Sequence, residues 1–157
     1  MLDHTYNDEL KSVRLNDLEV GEYGLNAALA GHFGVPVVFI SGDRAVAEQA
    51  RAFIPGIEAL AVKEGIGKTA ARTLHPEEAR EKIAAGVMAA LGRRKKIRPV
   101  ELIRPITLEV ELANSAQAES AMMVPGMKRV SARVVSYTAP DMTVAYKVSR
   151  LIARLSR

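Results

Sequence analysis

Few residues in this 157-residue chain can do chemistry, and their spacing narrows the choice further. There is no cysteine, which removes thiol nucleophiles, thiolate zinc sites and disulfides together. The three histidines are His4, His32 and His75, and no HExxH-like pair sets two of them one helical turn apart. A metal site would therefore have to gather its ligands from distant segments. The most pointed candidate is Glu22, in VGEYGLNAALAGHFGVPVVFISGD (residues 20–43), a carboxylate between Gly21 and Gly24 at the mouth of an apolar helix. A carboxylate there either stabilises the positive end of the helix and its orphan N–H groups, or binds a ligand. The neighbouring glycines permit close approach of a ligand or of another chain segment. His32 falls on the apolar side of a helix end, a packed or capping position, and His75 precedes Pro76 at a helix boundary. His4, in LDHTY, has no periodic context that explains it.

Two other stretches invite a function and do not sustain it. GIGKTA (residues 65–70) resembles the end of a phosphate-binding loop, but Val62 stands where that loop needs its first glycine, so a flexible loop is expected. The net charge of +4 is concentrated in GRRKKIR (residues 92–98) and the C-terminal RLIARLSR. With aromatics at 4% and no tryptophan there is little to stack on bases. A cationic block after a helix faces the negative end of its dipole, so no nucleic-acid partner is expected. No apolar run approaches the ~20 residues of a membrane span, and the first residues are too polar for a signal peptide. The expected location is the cytoplasm, with no membrane partner.

The elements that must position these residues are legible in outline. Leu10–Leu15 and Leu18–Val20 flank Asn16-Asp17 and read as a hairpin. Residues 22–33 read as a helix closed by Gly34. VPVVFI (residues 35–40) is a continuous apolar run, expected as a strand covered on both faces in a parallel sheet. Asp43 caps a second helix through about Phe53; EALAVK (residues 58–63) follows as a strand, and Pro76 opens a long helix to about Gly92. Further on, a strand over 104–112, a helix over 116–124, a strand over 129–138 and a closing helix from Asp141 give β-α-β-α. The strand at 35–40 needs parallel neighbours on both sides, and residues 20–63 supply few. If the chain is the later part of a longer protein, the missing strands lie upstream.

HTYNDELKSVRLNDLEVGEYGLNAALAGHFGVPVVFISGD (residues 4–43) resembles the second half of the zinc-dependent D-aminopeptidases of dipeptide-transport operons. The GE-x-GLNA-x-x-AG segment after an LDHT-like histidine carries that resemblance. It persists through AVKEGI…LHP, ELANSAQAE, MVPG and APDM…AY, over essentially the whole chain. The resemblance implies that Glu22 matches a zinc ligand and His4 the catalytic histidine, eighteen residues apart as in the family. Zinc would polarise the scissile carbonyl and acidify a bound water, and a histidine near neutrality could move its proton. It further implies cytoplasmic hydrolysis of small peptides with an N-terminal D-residue, and assembly into homo-oligomers. The family's other zinc ligands, an Asp-x-Glu pair and two histidines, precede the segment seen here. The chain is therefore expected to lack them, the alternative function being a catalytically incomplete half that serves structure or assembly. The expected fold is α/β: residues 1–65 as the end of a three-layer parallel-sheet catalytic domain, then residues 66–157 as a smaller α/β sandwich.

Overall fold

Asn16 and Asp17 adopt φ of 48° and 68°, the left-handed pair that a two-residue hairpin turn requires. They join β1 (Leu10–Leu15) to β2 (Leu18–Glu19). Asn16 also ties the turn to a distant segment, accepting from the Thr107 N–H at 2.8 Å and donating to the Ile103 carbonyl at 2.7 Å. A computed structural model describes residues 5–67 and 69–157. In it β1 pairs antiparallel with β6 (Ile106–Leu112), Val13 opposite Val110, and β6 with β8 (Val134–Ala139), which carries the short β7 (Lys128–Arg129). The sheet order is β2-β1-β6-β8-β7. Strict alternation along β6 buries Ile106, Leu108, Val110 and Leu112 on one face, as the sequence pattern predicts. Over that face lie α4 (Ser115–Ala121) and α5 (Met142–Leu155). Met142, Ala145, Val148 and Ile152 of α5 are buried in the main core, with Leu155 packed against it.

A second sheet, of order β3-β4-β5, is built from β3 (Phe39–Asp43), β4 (Glu58–Gly65) and β5 (Ala71–Thr73). β3 and β4 run parallel, as expected, and β5 returns antiparallel. Asp43 caps α2 (Arg44–Phe53), its Oδ1 accepting from the Val46 N–H at 2.8 Å. Alternation along β3 turns Ile40 toward the cluster of Ala47 and Ala50 on α2 and Ile54 just after it. It turns Phe39 to the opposite face, over Gly86 of α3 (Pro76–Arg93). Both faces of this sheet are thus covered, and the α/β class stands. Between the sheets runs α1 (Glu22–His32), closed by Gly34 at φ +71°.

Two expectations need correction, and two features add to the sequence reading. The strand of VPVVFI begins only at Phe39, because the Val35 N–H already donates to Ala30 and Pro36 has none. β4 and β5, on either side of GIGKTA, pair as a hairpin, with Ile66 and Gly67 N–H groups donating to the Ala70 carbonyl. The single strand over 129–138 is two: Val130 and Ser131 N–H groups both donate to the Val134 carbonyl, folding β7 back on β8. β1 and β2 lie in the sheet of β6 and β8, because β1's apolar face continues that of β6.

Candidate active site

Glu22 is the first residue of α1, and the N-cap Gly21 offers the helix no side-chain cap. The carboxylate therefore sits where unsatisfied N–H groups and the positive helix end favour it. Gly24 has a packing reason, since a Cβ there would meet the Val20 side chain at 2.6 Å. The close approach it permits is that of another chain segment. Glu22 is half-buried, with Oε2 fully shielded from solvent. It faces Tyr6, close enough to disfavour the phenolate.

Tyr6 is the residue that sequence reasoning missed. Its φ of 66° is left-handed, an outlier for a bulky side chain and costing about 1–2 kcal/mol. The surroundings hold it there: its ring stands edge-on to Tyr146 of α5 at 6.5 Å, with the Arg150 guanidinium 4.8 Å from the ring centre. Asn7 pins the same segment, its amide donating to the Ala153 carbonyl at 2.8 Å and its Oδ1 accepting from Glu9 and Leu10 N–H groups. The Tyr6 hydroxyl lies near Ser149 and Tyr146 but makes no hydrogen bond of good geometry among the described residues. Burial pushes its pKa up to about 12. In LDHTYND no periodicity or spacing marks this residue; only its backbone angle and its neighbours do. His4, two residues earlier, lies outside the described residues.

A cleft of about 500 Å³ opens beside these groups. It is lined by Thr5 and Gly21, by Tyr23, and by Gly42 and Asp43 at the carboxyl end of β3. The crevice beyond the carboxyl ends of parallel strands is where α/β folds bind ligands. Lys11, Glu19 and Lys63 give its wall charges of both signs.

The other histidines stand apart from this cleft. His32 ends α1 with Nδ1 3.1 Å from Arg104 Nη2. A guanidinium only donates, so Nδ1 accepts and the ring proton is on Nε2. The ring also stands edge-on to Phe33 at 4.9 Å, at the last turn of α1. His75 precedes α3 as its N-cap residue without a side-chain cap and lies exposed, 3.8 Å from Glu77. The basic block 92–98 is partly tied down, Arg93 pairing with Glu58 and Arg94 donating to the Leu91 carbonyl at 3.1 Å. No three His, Cys, Asp or Glu side chains among the described residues group as a metal site. Glu22 fits a zinc ligand by type and burial, but the described donors do not complete a site by themselves. No helix among the described residues is long and apolar enough to cross a membrane.

Comparison with known proteins accounts for this arrangement. The family model for peptidase M55, described as D-aminopeptidase, matches residues 1–151. A D-aminopeptidase of Bacillus subtilis is 32% identical, the match covering 99% of this chain and 57% of that protein. The solved structure of the Zn-dependent D-aminopeptidase DppA from Bacillus subtilis, a self-compartmentalizing protease, superposes with a TM-score of 0.95 at 31% identity. It too is matched over 99% of this chain and 57% of its own length. The chain thus spans little more than half of these relatives, matching their C-terminal portion. By its sequence and its fold, it belongs to the M55 family of D-aminopeptidases.

Proposed function

We propose that this chain forms one side of a zinc-dependent aminopeptidase site that hydrolyses small peptides with an N-terminal D-residue. Glu22 is the metal ligand it contributes, and His4 is the catalytic residue that handles the proton. The remaining ligands come from the part of the family fold that the chain does not span. One observation carries this reading: Thr5, next to His4, and Gly21, next to Glu22, line a single cleft at the carboxyl end of β3. The shielded oxygen of the Glu22 carboxylate, with the strained Tyr6 near it, supports a fixed ligand beside that cleft. Self-association in the cytoplasm follows from the same membership, since the relative is a self-compartmentalizing protease. Nucleic acid and membrane are not partners in this reading.

A second reading is favoured by the lack of a three-ligand cluster among the described residues: a catalytically incomplete half serving structure or assembly. Bound zinc and D-alanyl-peptide hydrolysis, measured on the chain alone and with the N-terminal portion of the Bacillus subtilis enzyme added, separate the two. The catalytic reading expects zinc retention and hydrolysis in the mixture, with Glu22→Gln weakening zinc binding by about 10–100-fold or more. Zinc binding unchanged in that variant would sink the assignment of Glu22. A folded mixture with neither zinc nor hydrolysis selects the second reading.

A further inference from the structure

Lys63 is a half-buried cation in β4 that lines the cleft together with Gly42 and Asp43 of β3. Its place there depends on an irregularity in the register. Gly42 stands opposite Ala61 but Asp43 stands opposite Lys63, so Val62 is the extra residue of a bulge. Bulges re-aim side chains beside sites. Without this one, Val62 would face Asp43 and Lys63 would fall past the end of β3. A half-buried ammonium normally has a charged partner, because taking a charge out of water is costly. Among the described residues Lys63 makes no ion pair, and the nearby carboxylates are engaged elsewhere. Asp43 accepts from the Val46 N–H at 2.8 Å, Glu64 pairs with Arg44 at 3.4 Å, and Glu58 pairs with Arg93.

We infer that Lys63 is the subsite for the C-terminal carboxylate of a short peptide substrate, a di- or tripeptide. The inference rests on the reading of the cleft as one side of an aminopeptidase site. Such a site holds the amino end of its substrate at the reacting centre, which leaves the carboxyl end to a group farther along the same cleft. Thr5 and Gly21, the neighbours of His4 and Glu22, line this cleft, and so does Lys63. A volume of about 500 Å³ is toward the small end of ligand pockets and suits two or three small residues. Asp8 and Glu19 line it too, while Lys11 is exposed and donates to the Asp8 carbonyl at 2.8 Å. A wall with both signs suits a zwitterionic peptide better than a bare anion such as phosphate, which the carboxylates would repel. A charge-assisted hydrogen bond from Lys63 to the peptide carboxylate would strengthen binding about ten- to hundredfold.

The test is an NMR titration of the metal-free 157-residue chain with D-alanyl-D-alanine and D-trialanine, with their C-terminal amides, and with acetate. The two acids should give saturable shifts at the Gly42, Asp43 and Lys63 amides. The peptide amides and acetate should bind about tenfold or more weakly. Lys63→Gln should bring the acids down to the level of the amides, and Lys63→Arg, which keeps the charge, should retain a preference for the acids. If Lys63→Gln does not fold, the comparison of acid with amide on the unaltered chain carries the test. No saturable shift with the acids, equal binding of acid and amide, a preference that survives Lys63→Gln, or acetate binding as tightly as the peptides would each overturn the inference. Acid binding that depends on Lys63, with neither zinc nor hydrolysis once the N-terminal portion is added, defeats the catalytic proposal and leaves the subsite standing. Hydrolysis with the same KM for acid and amide does the reverse.

Discussion

Gly31 offers the sharpest test of how the site is seated. It lies in the last turn of α1, the helix that begins at Glu22, and its Cα faces the backbone of Val100. A Cβ on Gly31 would lie 1.8 Å from the Val100 carbonyl oxygen and 2.7 Å from its carbon, where ordinary contact begins near 3.4 Å. Relief requires the two backbones to part by about 1.6 Å, because no flexible side chain is available to yield. Such a shift would also loosen Leu25 and Ala28, which α1 buries in the main core. The cost belongs at the top of the usual overpacking range, about 3 kcal/mol or more. With a urea dependence of about 2 kcal/mol per molar, the unfolding midpoint of Gly31→Ala should fall by about 1.5 M. Two companion variants calibrate the result. Gly34→Ala meets open space but must hold φ at +71°, costing about 1–2 kcal/mol. Gly92→Ala, in α3 with nothing within 4 Å, should gain about 0.5–1 kcal/mol. A Gly31→Ala midpoint at or above that of Gly34→Ala would refute the close-approach reasoning.

Three further outcomes follow from the same structure. Asp141 caps α5, and its hydrogen bonds from Thr143 and from the Val144 N–H hold its carboxyl below the usual range, with His32 a minor aid. Its contribution is complete above the unfolded aspartate pKa of about 3.9 and is lost as pH falls through the lower folded value. Asp141→Asn, which caps without a charge, should flatten the fall of urea midpoint below about pH 4. Tyr6, at about 12 when folded, opposes ionisation; its stabilisation holds below an unfolded pKa of about 10 and is lost as pH rises toward 12. In metal-free buffer it should ionise as a late step in the tyrosinate absorbance, and Tyr6→Phe should remove that step. Asp43→Ala should lower stability by about 1 kcal/mol in urea melts, through loss of the α2 cap.

What could be read in the sequence was local. The hairpin at Asn16-Asp17, the cap at Asp43, the start of α5 near Asp141 and its stripe depend on residues a few positions apart, and each formed as expected. The pairing of β1 with β6 joins segments nearly a hundred residues apart, and no local pattern encodes it. β5, Ala-Arg-Thr, is too short and too polar to show alternation, and exists because β4 offers it an edge. Of the site, Glu22 was visible as a carboxylate out of place, but physics alone left its role open between helix start and ligand. Tyr6 was invisible, since its meaning lies in a backbone angle and in partners on α5.

The residues after Glu22 are then best understood as the seat of the carboxylate. A helix gripped from several sides needs small side chains wherever a neighbour comes close, and GLNAALAG supplies them. Gly24 receives Val20, Ala27 meets the α2 cluster, Ala28 the main core, and Gly31 the Val100 backbone. Polar contacts complete the grip at the helix's outer side, the Tyr146 hydroxyl donating to Asn26 Oδ1 at 3.1 Å. Tyr23 stands edge-on to Phe53 at 6.2 Å, and Phe53 and Val100 touch both hydrophobic clusters. Helix α1 therefore belongs to both cores at once, and moving it means repacking both. A carboxylate on the first residue of such a helix cannot drift, and a fixed position is what the metal-ligand role proposed for Glu22 requires.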